Sequence, residues 1–127
     1  CITVSIDVKK EDDEYKIYSH THAQVLDICL LDFCKQVEQL GAGELLINNV
    51  TQDGLMTGPD LVLIPLITSL VSIPVIAAGG ISIPSDFANV IEAGALAVAA
   101  ASIFHFTRYT PDECKASMKE SGISVRI

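Results

Sequence analysis

The sequence predicts an α/β chain in which parallel strands alternate with crossover helices, and three observations carry that prediction. Four short apolar runs recur, "CITVSID" (1–7), "ELLINNV" (44–50), "PVIAAGG" (74–80) and "ALAVAAAS" (95–102), each followed by a loop and then a helical pattern. The runs are almost continuously apolar, as strands buried on both faces must be. The polar residues Asp7, Asp53, Gly79-Gly80 and Ser102 fall where those strands are expected to end. A flavodoxin-like open sheet is one arrangement of such a chain, although it calls for a five-stranded core and a phosphate loop after the first strand. The other is half of an eight-stranded (βα)8 barrel, whose chemistry lies on the loops at the carboxyl ends of its strands. This second arrangement accounts for the polar residues.

The elements follow in order. The first run is β-branched and delivers one carboxylate, Asp7, at its end. The helix over 30–43, "LLDFCKQVEQLGAG", places Leu30, Phe33, Cys34, Val37 and Leu40 on one face and stops at Gly41 and Gly43. A second helical pattern, "PDLVLIPLITSLVS" (59–72), is interrupted by Pro65. In "IPSDFANVIEAGA" (83–95), Ser85 or Asp86 is the expected cap and Gly94 the stop. The last helix, "TPDECKASMKESG" (110–122), has Thr110 as N-cap, Pro111 in the first helical position and Gly122 as its stop.

Composition limits the function. Half of the 127 residues are apolar, enough for one small domain with its own core. Eight basic residues stand against 16 acidic ones, and the net charge of -8 argues against electrostatic capture of nucleic acid or of an anionic membrane surface. An anionic ligand would therefore need local donors. The apolar runs are too short and too interrupted for a bilayer-spanning helix. Cys1, Cys29, Cys34 and Cys114 form neither a CxxC pair nor a disulfide framework, so reduced thiols and a cytoplasmic setting are expected. The sequon Asn49-Val50-Thr51 is set aside on the same ground. Because the chain opens at Cys1 directly into a strand, a fragment is expected.

Candidate chemistry sits in five places. Gly79 and Gly80 would let backbone N–H groups approach a ligand with no Cβ in the way, and Ser102 would open a helical segment on the adjacent strand. Together they could cradle a phosphate; singly they are a tight turn and a cap. Asp53-Gly54 is a strong turn signal whose carboxylate could close the turn on itself or accept a ligand hydroxyl. His20 and His22, two residues apart, would point to one side of an extended segment, but no convincing third and fourth ligand accompanies them, so no metal site is assigned. His105 reads as a packed or helix-terminal histidine rather than a catalyst. Asp7 could accept N–H groups of its own loop or, desolvated on one side, act as acid or base.

With these residues in order, the chain resembles the second half of the cyclase subunit of imidazole glycerol phosphate synthase, a histidine-pathway barrel. "SIDVKK", "LGAGELLINNVTQDGLMTGPDL", "IPVIAAGGI", "AGALAVAAASIFHF" and "GISVRI" carry the resemblance over essentially the whole chain. It implies a TIM-barrel family fold, of which residues 1–127 supply about four C-terminal βα units as a half-barrel. It also implies a lyase-type cyclase that takes ammonia from a glutaminase partner and closes an imidazole ring on a bisphosphorylated ribulosyl aminoimidazole carboxamide. The products would be imidazole glycerol phosphate and the aminoimidazole carboxamide ribotide.

By position the resemblance makes Asp7 one of two catalytic aspartates. Lys9, Asn48, Asp53, Gly54, Gly79, Gly80, Ala101 and Ser102 would serve substrate and one phosphate, and Glu44 the ammonia entrance. No cofactor is implied. Two loops, 21–27 and 49–55, depart from the family's usual Ser-Gly…Asn-Thr-Gly and Ser-Ile-Asp-Arg-Asp-Gly-Thr readings. Two alternatives accompany the reading: a paralogue that aminates another phosphorylated substrate in surface-sugar biosynthesis, and a non-catalytic phosphate-binding scaffold. Alone, the stretch is expected to be inactive and to self-associate through its open strand edges.

Overall fold

The computed structural model describes residues 1–126. Strand β1 (Thr3–Glu11) is followed by β2 (Glu14–Ser19), β3 (Gln24–Val25), helix α1 (Leu30–Gln39), β4 (Glu44–Asn49), α2 (Leu63–Thr68), β5 (Val75–Ala78), α3 (Pro84–Glu92), β6 (Ala97–Ala99), α4 (Ser102–Phe106) and α5 (Pro111–Glu120). They form one six-stranded sheet in the order β3-β2-β1-β4-β5-β6. The four expected strands are β1, β4, β5 and β6, and they pair in parallel and in chain order. An open doubly wound sheet needs a reversal in that order, and none occurs, so the arrangement is that of consecutive barrel staves.

The remaining two strands were not expected. β1 does not end at Asp7 but runs on to Glu11 and turns back into β2, with Glu11 opposite Glu14. Asp12 (φ 49°) and Asp13 (φ 63°) form the two-residue connection, and two consecutive left-handed residues are what a tight hairpin with right-handed strand twist demands. Asp7 instead lies near the end of the parallel pairing, where Asp7 meets Asn48 and Val8 meets Asn49.

Burial alternates along the strands, which corrects the expectation that both faces are covered. Ile6, Val8, Leu45, Ile47, Val75 and Ala77 are buried, while Asp7, Leu46, Asn48, Ile76 and Ala78 between them are only half-buried and Ser5 is exposed. All the covering comes from one side: Leu30, Cys34 and Val37 of α1 and Leu63 and Ile67 of α2 pack with the strand residues into one cluster. Phe87 and Val90 of α3, Ile103 of α4 and Cys114 of α5 form a second with Ala77. The uncovered face carries the candidate site. Among the described residues no helix is long and apolar enough to cross a membrane.

Helix ends follow local chemistry. Thr110 caps α5, accepting from Glu113 N–H at 3.3 Å while the Glu113 carboxylate accepts from Thr110 N–H at 2.7 Å. Neither Ser85 nor Asp86 is the cap of α3: Ile83 holds that position, and buried Asp86 works from inside the first turn, accepting from Ser82 N–H, Ser82 Oγ–H and Ile83 N–H. Pro65 is tolerated because α2 begins only at Leu63, where its missing N–H is not needed. The four cysteines are unpaired thiols, with Cys34 and Cys114 in the core, and burial pushes the Cys34 thiol up to about 11.

One carboxylate ties the long loop after β4 to everything around it. Asp60 accepts from the Tyr15 hydroxyl of β2 at 2.9 Å, from Asn49 Nδ2 of β4 at 2.8 Å, and from Val62 and Leu63 N–H at 3.1 and 2.9 Å, capping α2. Asn49, 3% exposed, is thus a buried anchor. Burial first, and then the hydrogen bond and charge of Asp60, push the Tyr15 phenol up to about 12.

An alkaline transition follows. An unfolded tyrosine titrates near 10, so the folded value of about 12 is the raised one. The stabilisation is therefore complete below pH 10 and is lost as pH rises from there toward 12. Urea unfolding should show the wild type losing stability across that window and Tyr15→Phe losing less. At neutral pH the variant should be weaker by about 1–2 kcal/mol for the lost bond.

Candidate functional site

The site is assembled on the carboxyl ends of the parallel strands, on the uncovered face. Seven of the expected residues, Asn48, Asp53, Gly54, Gly79, Gly80, Ala101 and Ser102, line one depression of about 190 Å³. Met56, Ala78, Ile81, Ala99 and Ala100 complete its wall. Seven of its twelve lining residues are glycine or alanine.

The glycines are there for clearance as well as conformation. Gly79 (φ 97°) and Gly80 (φ 84°) both lie in the left-handed region. A Cβ at Gly79 would come 2.6 Å from the Asn49 carbonyl oxygen, and one at Gly80 would collide with the Gly58 carbonyl. That second approach is a designed contact, because Gly58 N–H donates to Gly80 O at 2.8 Å and draws the long loop over the end of β5. The loop then turns back through Asp53, whose N–H donates to Asn49 O at 2.9 Å, and Gly54 (φ 77°), which has open space around it. Ser102 starts α4 and is half-buried at the rim, as the sequence predicts.

Asp7 stands beside this depression, linked through Asn48. The Asn48 amide donates to Asp7 Oδ1 at 3.0 Å, across a pair that the parallel register sets directly opposite. Asn48 therefore touches both the carboxylate and the glycine pocket. A second group reaches Asp7: His20 Nε2 lies 3.4 Å from Oδ2. The paired histidines do not share a side of an extended segment, since the segment is a turn, and His22 Nδ1 instead meets Ser19 Oγ at 3.0 Å.

Lys9 and Glu44 are not part of this cluster. Lys9 projects from the same sheet face as Asp7, but its ammonium pairs with Glu11 at 3.0 Å and lies 5.6 Å over the Tyr18 ring. Glu44 opens β4, four residues before Asn48 and so about 13 Å away at the other end of the strand. There its carboxylate accepts from Thr3 Oγ1. His105 lies in the last turn of α4 and is exposed.

Sequence reasoning missed His20 as a partner of Asp7, and Asp60 and Tyr15 as the fastening of the loop. The alternation of "EYKIYS" and the acidic pair before it were the available signal, because a hairpin there brings both Tyr15 and His20 back over the sheet.

Comparison with known proteins agrees with this architecture. The chain is 41% identical to imidazole glycerol phosphate synthase subunit HisF of Dehalococcoides mccartyi strain BAV1, over 100% of this chain and 51% of that protein. It is 41% identical to the HisF subunit of Petrotoga mobilis over 99% of this chain and 51% of that one. With the HisF subunit of Thermococcus onnurineus the identity is 39%, over 99% and 50%. The chain spans about half the length of the curated relatives it matches. The family model for the histidine biosynthesis protein matches residues 1–110. Staves in chain order, a glycine-walled pocket on their carboxyl ends and this match agree: the chain belongs to the histidine biosynthesis protein family of TIM barrels.

Proposed function

We propose that this chain supplies half of an imidazole glycerol phosphate synthase cyclase barrel, with one catalytic carboxylate and one phosphate cradle. The observation that carries the reading is the bond from Asn48 to Asp7, because Asn48 also lines the glycine pocket. A proton-handling group and an anion-sized depression thus share a residue.

The chemistry requires both. Ammonia delivered by a glutaminase partner attacks a carbonyl of the ribulosyl substrate, water leaves, and the ribotide is cleaved off as the imidazole ring closes. Protons must move on and off nitrogen and oxygen at each stage, which is the task assigned to Asp7. Gly79, Gly80, Ala101 and Ser102, with Asp53-Gly54 opposite, hold one phosphate by backbone donors. That suits a chain of net charge -8, in which acidic residues outnumber basic ones two to one. Lys9, on the face of Asp7, is available to an anion once it leaves Glu11. Glu44, at the opposite end of β4 from Asn48, suits the entrance through which ammonia crosses the barrel. The second aspartate and second phosphate site belong to the other half of the barrel, which would cover the open sheet face. Without it that face is free to pair with a second copy. Reduced thiols fit a cytoplasmic setting.

Asp7→Asn keeps the shape and the acceptor for Asn48 while removing the titratable group. In the full-length chain supplied with ammonia, turnover should fall by about 100-fold or more with the melting temperature little changed. Normal turnover with an early melt would make Asp7 a structural residue and remove the enzyme reading's catalytic group.

A second variant tests the cradle. Gly80 is unsuitable for it, since any side chain there disrupts the contact with Gly58. Ser102→Asp places a negative charge at the rim where a helix begins, a position that tolerates acidic residues. Calorimetric affinity for a phosphorylated ligand should drop by about 10-fold or more while the fold stays intact. Unchanged affinity would move the phosphate elsewhere.

A further inference from the structure

One side chain at Asp7 has no role in the reaction as described. His20 sets Nε2 3.4 Å from Asp7 Oδ2, while the other carboxylate oxygen accepts from Asn48. The placement follows from strand pairing. β1 and β2 pair with Val8 opposite Ile17, so one step back along β1 Tyr18 falls opposite Asp7. β2 ends at Ser19, and His20, the next residue, opens the turn from which its ring reaches back to Asp7.

The turn that carries His20 is held closed. Ala23 N–H donates to the His20 carbonyl at 3.2 Å, and the Ser19 hydroxyl accepts from His22 N–H at 3.3 Å and shares a hydrogen bond with His22 Nδ1 at 3.0 Å. Ala23 sits at φ 50°, a left-handed conformation that an alanine holds only under constraint from its surroundings. The imidazole is braced edge-on against the Tyr18 ring, with centroids 4.9 Å apart. Lys9, the nearby cation, is engaged by Glu11 and by the same tyrosine, and leaves Oδ2 to the histidine.

We propose that His20 is a positioning residue for Asp7, its Nε2 set 3.4 Å from Oδ2 as an ion-pairing partner while Asn48 donates to Oδ1. The value of the arrangement to catalysis rests on the cyclase reading above; the pairing itself does not. A carboxylate on a strand rotates about two bonds, and a proton-transfer group off its productive angle loses rate. A donor on one oxygen from the neighbouring parallel strand, and an imidazole close against the other, restrict that freedom. His20 acts through Asp7 and touches no substrate.

The test uses the full-length chain with an ammonium salt and the ribulosyl substrate, as wild type, His20→Ala and His20→Gln, whose amide nitrogen supplies a donor. His20→Ala should lower kcat by about 10-fold with KM within about twofold, and His20→Gln should recover most of the loss. Equal kcat in all three overturns the proposal. So does a loss confined to KM, or one that glutamine does not recover. The pairing is read separately, without substrate, from the ¹H–¹⁵N signals of the histidine rings: Asp7→Ala should move those of His20 and leave those of His105 in place. Unmoved His20 signals overturn the proposal whatever the activity. Moved signals in a wild type that shows no turnover uphold the pairing, and the cyclase reading fails instead.

Discussion

The carboxylate of Asp60 is the constraint on which the arrangement of the site depends. It accepts from the hairpin through Tyr15, from β4 through Asn49, and from the first turn of α2 through Val62 and Leu63. Three separate pieces of chain are thereby brought to one point. A buried or half-buried carboxylate is costly unless its lone pairs are filled, and here four donors fill them, so the surrounding elements have one low-energy arrangement. The loop that ends at Asp60 begins at Asn49, and both ends are thus held by the same pair of side chains. Its course over the pocket, and the approach of Gly58 to Gly80, follow from that fastening.

The parallel register separates structure from chemistry on alternate residues. Ile6 and Val8, Leu45 and Ile47, Val75 and Ala77 face the helices, and Asp7, Asn48 and Ala78 face away from them. A slip of one residue between β1 and β4 would bury Asp7 under α1 and expose Ile6, so the hydrophobic face enforces the pairing of Asp7 with Asn48. The apolar core therefore sets the geometry of a polar contact that it never touches.

Much of this was legible in the residues, and the boundary of legibility has a physical basis. The four apolar runs mark the parallel strands because their apolar residues are stable where the helices cover them, and Gly79-Gly80 mark a close backbone approach because only glycine permits it. Gly41, Gly94 and Gly122, each left-handed beyond a helix end, are equally plain. The hairpin was missed because "EYKIYS" is a half-exposed, polar strand whose alternation is weak and whose turn uses two aspartates in place of a glycine. Asp60 was missed because its partners come from positions 11 and 45 residues away, a convergence that no local pattern encodes. The pairing of His20 with Asp7 depends on the same unseen hairpin.

The two fastenings of the loop after β4 also decide how it can move. Residues 49–51 are pinned through the Asn49 side chain and by Lys10 N–H to Thr51, and residues 58–63 through Gly58 and Asp60. Between them the tip, Asp53 to Leu55, is exposed and has open space at Gly54. Local opening then involves a handful of residues swinging on rigid ends, with little ordering entropy to recover on closing and no need to unfold any strand. Movement of that kind leaves Asp7 and Asn48 where the sheet holds them.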